Sequence, residues 1–149
     1  MAEKYFKRFE AEELLPMIGD CLEQAREQKQ QLDELDEELA RAATNIMVLG
    51  GSIPHYGELK KKRTEREQFA SQVLEAVNKI QEIGCVVKDL DQGLVDFPSL
   101  LAGKEVYLCW KLGEERIGFW HGVEEGFAGR KPLDEGPADT SPKGRRQVQ

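Results

Sequence analysis

Long apolar runs are missing from this sequence: residues 46–49 make a fully apolar stretch of four, and no stretch exceeds five residues, against the ~20 that a membrane helix needs. No membrane span is expected. The opening Met-Ala-Glu-Lys-Tyr carries no apolar core of an export signal, so the expectation is a soluble, cytoplasmic protein. Cysteine is scarce too. Cys21, Cys85 and Cys109 are odd in number and far apart, with no C-x-x-C pair, which suits a reducing compartment better than a disulfide framework. Positive charge is in deficit, since 21 Lys and Arg face 28 Asp and Glu for a net charge of -7. Such a field repels phosphate and argues against nucleic acid or an anionic membrane as partner.

What the sequence does hold is a helical pattern over its first half. With 149 residues, 40% of them hydrophobic, there is material for one modest core. From about residue 9 to 49, Leu15, Ile18, Leu22, Ala25, Leu32, Leu35, Leu39, Ala42, Ile46 and Leu49 recur at steps of mostly three and four, the mark of one long helix. Pro16 lies inside that pattern and predicts a bend, or a start late enough to put it in the first turn. Residues 50–54 (GGSIP) then supply a stop and a reversal. A second stripe follows in Leu59, Phe69, Val73, Ala76, Ile80 and Ile83, closed by Gly84. Folding the two helices about this loop predicts facing residues whose numbers add to about 107, which sets Arg66 against Arg41 and Ile83 against Gln24. The first helix then overhangs from about Glu10 to Glu23, and its apolar face needs another layer.

The chain after Gly84 supplies that layer. Residues 85–90 are short and β-branched, and residues 104–112 (KEVYLCWKL) and 115–121 (ERIGFWH) alternate as strands do. Between them Gly113-Glu114 has the chemistry of a two-residue type II′ hairpin. That register opposes Leu112 to Glu115, Trp110 to Ile117, Leu108 to Phe119 and Val106 to His121, so that His121 shares the core face and Cys109 faces away. Residues 4–7 (KYFK) could add an edge strand. Beyond Pro132 the composition turns to Asp, Glu, Gly, Pro, Ser and Arg, too polar to offset the entropy of ordering. The expected fold is α+β: a long antiparallel helical hairpin, coiled-coil-like, with a small antiparallel sheet packed at its open end. It forms a single domain over residues 1–131, with the hairpin at about 9–83, the β part at about 85–122, and a mobile tail over 132–149.

Several blocks of this chain resemble a known family. They are residues 10–16 (EAEELLP), 87–98 (VKDLDQGLVDFP), 105–114 (EVYLCWKLGE), 118–121 (GFWH) and 126–133 (GFAGRKPL). Together they resemble the prokaryotic domain-of-unknown-function family 2203 over about residues 6–133, with Lys7 and Phe9 standing where the family pattern has a Thr cap and a first Glu. The resemblance implies little about activity, because the family is named for the lack of one; metal binding is its one suggestion.

From the residues themselves, His121 is the most informative candidate. The predicted register places it at a strand end, beside the chain leaving Asp96 and beneath the acidic start of the first helix. Imidazole with carboxylates suits Zn, Mn or Fe, singly or as a bridged pair. A metal site would therefore draw on His121, Asp96, Glu124 and Glu10, whereas a structural reading has the imidazole bonding one carbonyl or carboxylate. Glu10, Glu12 and Glu13 equally suit the dipole of a first helical turn. The acidic residues 33–38 and the basic residues 60–63 read as solvated helix faces, and Cys109 lacks a base on its own face to activate it. Residues 126–131 lack phosphate-loop spacing and read as a turn. No nucleophile–base pair is evident, so enzymatic activity is not the leading expectation. That expectation is an interaction or structural module, homodimeric through its hairpin or bound to a protein partner. A divalent-metal protein centred on His121 is the alternative, with a metal-dependent hydrolase as its extension.

Overall fold

A computed structural model describes residues 4–48, 50, 56–126 and 129–133. Two helices, α1 (Arg8–Val48) and α2 (Tyr56–Ile83), precede five strands: β1 (Val86–Asp89), β2 (Leu94–Leu101), β3 (Lys104–Lys111), β4 (Phe119–Gly122) and β5 (Lys131–Pro132). The strands form one antiparallel sheet in the order β1-β2-β3-β4-β5, a meander in which each strand pairs with the next. The architecture is α+β, a helical hairpin with an antiparallel sheet. The described chain clusters into two compact units, residues 23–76 and the residues before and after them.

In the 23–76 unit the two helices pack through the expected stripes. Leu32, Leu35, Leu39, Ala42 and Ile46 are half-buried at three-four spacing, as are Phe69, Val73 and Ala76, with Leu59 half-buried nearer the start of α2. The register differs from the loop-centred expectation. Lys62 pairs with Glu38 at 2.7 Å and Arg66 with Asp36, so the facing numbers add to 100 and 102, and Arg66 meets Asp36 instead of Arg41. A loop fixes register only if its two halves are equally long, whereas seam packing fixes it regardless of loop shape. Part of the acidic run thus crosses to the other helix, while Lys60, Lys61 and Arg63 remain exposed.

In the other unit, Ala11, Leu15, Ile18 and Leu22 form one buried stripe on α1, joined by Ile80 of α2 and by Phe6, Cys85, Val95, Phe97, Leu108, Trp110, Ile117 and Leu133. The overhanging helix end is covered by the sheet. Each fully buried Leu, Ile or Phe contributes ~1.5–3 kcal/mol relative to exposure. α1 starts at Arg8 and runs through Pro16 without interruption, so Pro16 is not in a late first turn. The start is capped from within: Glu10 Oε1 accepts the Lys7 N–H at 2.9 Å, one half of a capping box. Gly84 ends α2 at a φ of 118°.

Strand β2, almost wholly buried, is absent from the sequence expectation, and Pro98 sits in its middle. The structure shows how the proline is accommodated. β1 pairs only as far as Asp96, so Pro98 has no neighbour strand on that side, and residues 4–7 run there without forming a strand. Phe6 N–H donates to the Pro98 carbonyl at 2.7 Å, and the Ser99 hydroxyl donates to the Phe6 carbonyl at 2.6 Å. Ser99 thus supplies a donor that a proline lacks.

The connection from β3 to β4 also differs from expectation. Glu114 N–H donates to the Lys111 carbonyl at 2.9 Å, and Gly113 has a φ of 106° while Leu112 is not left-handed. Gly113 therefore occupies the third position of a type II turn over residues 111–114, not the first central position of a type II′ hairpin. An irregular stretch follows before β4 starts at Phe119. Cys109 then opposes Phe119, Leu108 opposes Trp120, and Tyr107 opposes His121, one residue out of the predicted register. A slip of one residue moves every β4 side chain to the other face. At the far end, Leu133 donates its N–H to the Gly118 carbonyl at 2.8 Å and is 2% exposed. Pro132 and Leu133, assigned by composition to the tail, therefore belong to the folded part. The remainder of the expected tail lies outside the described residues.

Two substitutions test this frame. Gly93 has a φ of 71°, and a Cβ there would sit 2.6 Å from the Leu112 Cβ. Gly93→Ala should cost ~2 kcal/mol or more through left-handed strain and overlap. Ser99→Ala should cost ~1–3 kcal/mol by orphaning the Phe6 carbonyl. Denaturant unfolding reads both, and wild-type stability in either variant would contradict the account.

Candidate metal centre

The corrected register assembles a group that the predicted one keeps apart. Asp96 of β2 opposes Cys109 of β3, and His121 of β4 opposes Tyr107, two residues along from Cys109. Cross-strand partners share a face, so Asp96, Cys109 and His121 project from one side of the sheet, opposite the side that carries Val95, Phe97, Leu108 and Trp110 into the core. One ligand-type atom from each of the three lies within 4.8 Å of the others. All three are buried, with 2%, 1% and 2% of Asp96, Cys109 and His121 exposed.

The hydrogen bonds fix the orientation of the imidazole. His121 Nδ1 lies 2.9 Å from the Gly122 carbonyl oxygen, which can only accept, so Nδ1 carries a hydrogen. Nε2 then faces Asp96 Oδ2 at 3.0 Å. The Cys109 thiol also bonds the Asp96 carboxyl. Burial pushes the Asp96 carboxyl up from its ordinary range, opposed by His121 and by Lys88. Burial, reinforced by the charge of Asp96, pushes the Cys109 thiol up to about 11. A protonated, buried thiol that bonds a carboxylate is not an activated nucleophile.

Other side chains on this face flank the group. Lys88 Nζ lies 5.6 Å from the Tyr107 ring centre, and the Tyr107 and His121 rings are 5.5 Å apart. On the other flank the Arg130 guanidinium stacks 3.8 Å over Phe119 and pairs with Glu114 at 3.1 Å.

One comparison with known proteins spans both units. The family model described as "Uncharacterized conserved protein (DUF2203)" matches residues 4–133. The chain belongs to the DUF2203 family. No curated protein and no solved structure matches it. Among the described residues no helix is long and apolar enough to cross a membrane.

Of the four residues singled out in this DUF2203 member as metal candidates, His121 and Asp96 are in direct contact. Glu10 is exposed and caps α1, and Glu124 is exposed in the turn after β4. Neither belongs to the three-residue cluster. Cys109 does, although the expected register faced it away from His121. The signal that could have found it is the blocked Pro98 strand, because recognising β2 brings Asp96 opposite Cys109 directly. Sequence reasoning also missed the role of Glu12, whose Oε2 accepts the Ile117 N–H at 2.9 Å and lies 3.5 Å from Arg8 and 3.8 Å from Arg116. This carboxylate ties the helix to the irregular chain before β4 and so helps set the register that places His121.

The raised thiols give a pH signature in metal-free protein. Cys85 and Cys109 are each pushed up from near 9 to about 11 by burial, so the folded state holds both protons more tightly than the unfolded chain. Their contribution to stability is complete below pH 9 and is lost as pH rises through about 11. The melting temperature should fall across that interval, and a Cys85→Ala, Cys109→Ala protein should fall less steeply. Parallel curves would contradict the burial of these thiols.

Proposed function

We propose that this DUF2203 member binds a divalent metal ion through Asp96, Cys109 and His121, with zinc the best chemical fit. The observation that carries the reading is the fixed imidazole: one ring nitrogen donates to a backbone carbonyl, leaving Nε2 directed at a carboxylate and near a thiol in a buried cluster on the sheet. Metal-binding histidines almost always donate the other ring N–H in this way. The donor set of one N, one S and one O suits zinc, whose bonds of ~2.0–2.3 Å allow three such atoms to close around one ion. Charge supports the same reading, because a thiolate and a carboxylate in this low-dielectric site together offset a doubly charged ion, whereas either alone is costly there. Three protein ligands leave one position of a tetrahedron. A hydrolytic role would require that position to open to substrate, since the three residues are 1–2% exposed.

The test is elemental analysis of protein purified without added metal, followed by titration of chelator-treated protein with Zn²⁺ and Co²⁺. Binding should approach one equivalent, give a sulfur-to-cobalt charge-transfer band, and release at least one proton as the thiol ionises. Each of Asp96→Asn, Cys109→Ser and His121→Ala should lose most of the affinity, while Glu124→Gln and Glu10→Gln should not. Melting temperatures separate loss of a site from loss of the fold. A wild-type protein that takes up no metal, or a Cys109→Ser protein that keeps the same cobalt spectrum, would overturn the assignment.

A second reading, self-association through the hairpin, is favoured by apolar side chains on the 23–76 unit that face solvent: Leu74 at 60%, Met47 at 80%, Val48 at 78% and Tyr56 at 59% exposed. Sedimentation of the wild type against a Leu74→Glu, Met47→Glu protein is its test. Two monomers would remove this reading and leave the metal reading intact.

A further inference from the structure

The geometry points to Glu125 as the positioning residue of His121, the group that selects which imidazole nitrogen is left to bind. The inference deepens the metal reading, on which its affinity arm rests. Its tautomer arm stands without metal.

The argument starts at Gly122. Its carbonyl oxygen accepts the His121 Nδ1–H at 2.9 Å, so whatever holds that carbonyl in place also holds the imidazole. The same oxygen accepts the backbone N–H of Glu125 at 3.0 Å, which closes a turn over residues 122–125. At the other end of the same residue, the Gly122 N–H donates to Glu125 Oε1 at 2.8 Å. Glu125 therefore grips Gly122 at both its polar atoms, one through the main chain and one through the side chain. That double hold leaves the carbonyl little freedom to rotate away from the ring. The grip is itself anchored, since Lys131 Nζ of β5 lies 2.6 Å from Glu125 Oε1 and 4.7 Å from the Trp120 ring centre.

The consequence is specific. An imidazole without a directing partner distributes its proton between the two nitrogens, and a carboxylate beside Nε2 would attract it there. By presenting a fixed carbonyl to Nδ1, the turn keeps the hydrogen on Nδ1 and leaves Nε2 toward Asp96 and Cys109. Among the described hydrogen bonds and ion pairs, Glu125 meets neither of those residues. Both ends of its ion pair with Lys131 are close to half exposed, at 45% and 44%, so the side chain can be removed without opening the core. Glu124, its neighbour, makes no such contact with Gly122 among the described hydrogen bonds.

Nitrogen-15 NMR of histidine-labelled, metal-free protein reads the tautomer directly, with the His121→Ala spectrum identifying the signals of His121. In the wild type the hydrogen should sit on Nδ1 and be protected from exchange. Glu125→Ala should give a mixture of protonation patterns with rapid exchange at Nδ1, and should bind Zn²⁺ about 10–100-fold more weakly, the range typical for removing such an outer partner. Glu125→Gln keeps an oxygen that can accept the Gly122 N–H but loses the charge, so it should restore the Nδ1 signal and most of the affinity. If Glu125→Ala leaves the Nδ1 signal and its exchange unchanged, the inference is overturned, even if the melting temperature drops. Failure of the wild type to bind zinc, with the tautomer shift intact in Glu125→Ala, would remove the metal reading alone and sustain the positioning role.

Discussion

The contact between Asp96 and His121 is the constraint around which the sheet is organised. A carboxyl group and an imidazole that are each 2% exposed have given up water, and such groups are tolerated only where their hydrogen bonds are met within the protein. Here every polar atom of the ring is used: Nδ1 by the Gly122 carbonyl and Nε2 by the carboxyl. The thiol of Cys109 adds a third group to the same small volume. Such a cluster can exist only if β2, β3 and β4 hold their registers to the residue, because a slip by one would send one member to the apolar side and leave its partners unsatisfied. The two faces of the sheet thus make different demands: one needs apolar volume against α1, the other needs polar groups paired one to one.

That demand explains the devices at the edges of the sheet. Gly93 accepts the Leu112 N–H at 2.8 Å and brings the turn before β2 against the end of β3, fixing their pairing from one end. Glu12 reaches from the helix to the Ile117 N–H, and Glu114 takes the Lys111 N–H and the Arg130 guanidinium, so the irregular chain between β3 and β4 is tied at both ends. None of these is a large contribution singly. Exposed or half-exposed charged contacts are worth ~0–1 kcal/mol, but each removes an alternative register, and the cost of a wrong register is carried by the buried cluster.

The sequence makes the helices legible and the sheet only partly so, for a physical reason. A 41-residue helix repeats its signal many times over, so the stripes of α1 and α2 can be read even with Pro16 inside one of them. Their mutual register cannot, because it depends on seam packing that no loop length dictates. In the sheet each strand has at most eight residues, and one local detail decides everything downstream. Gly113 is compatible with a left-handed residue at either central position of a turn, and only the position it takes distinguishes a tight hairpin from the observed type II turn. Choosing the first position places His121 on the wrong face and separates it from Cys109. Pro98 conceals β2 in the same manner, since a proline argues against a central strand unless, as here, the missing donor faces a gap that Ser99 fills. His121 and Asp96 could still be named from their residue chemistry and their place near strand ends, whereas Cys109 could be joined to them only once the register was known.

The same register bears on what the cluster is for. A trio of polar groups is a poor choice for stability, because apolar residues of similar volume would avoid the desolvation cost, and replacing buried ionic groups in that way is often neutral or stabilising. The protons that satisfy the cluster without metal are also the protons a metal would displace: one on the thiol and one shared between Asp96 and His121. On the proposed metal reading, an ion would therefore be held by side chains already gathered in one place, where the 3.0 Å contact between Nε2 and Oδ2 serves as a hydrogen bond in the metal-free form. A fold that builds this arrangement stably before any ion arrives has already met most of the ordering cost of a binding site. On the same reading, what would decide between the metal-free and metal-bound forms is the competition between protons and metal for the same lone pairs, which depends on pH and metal concentration.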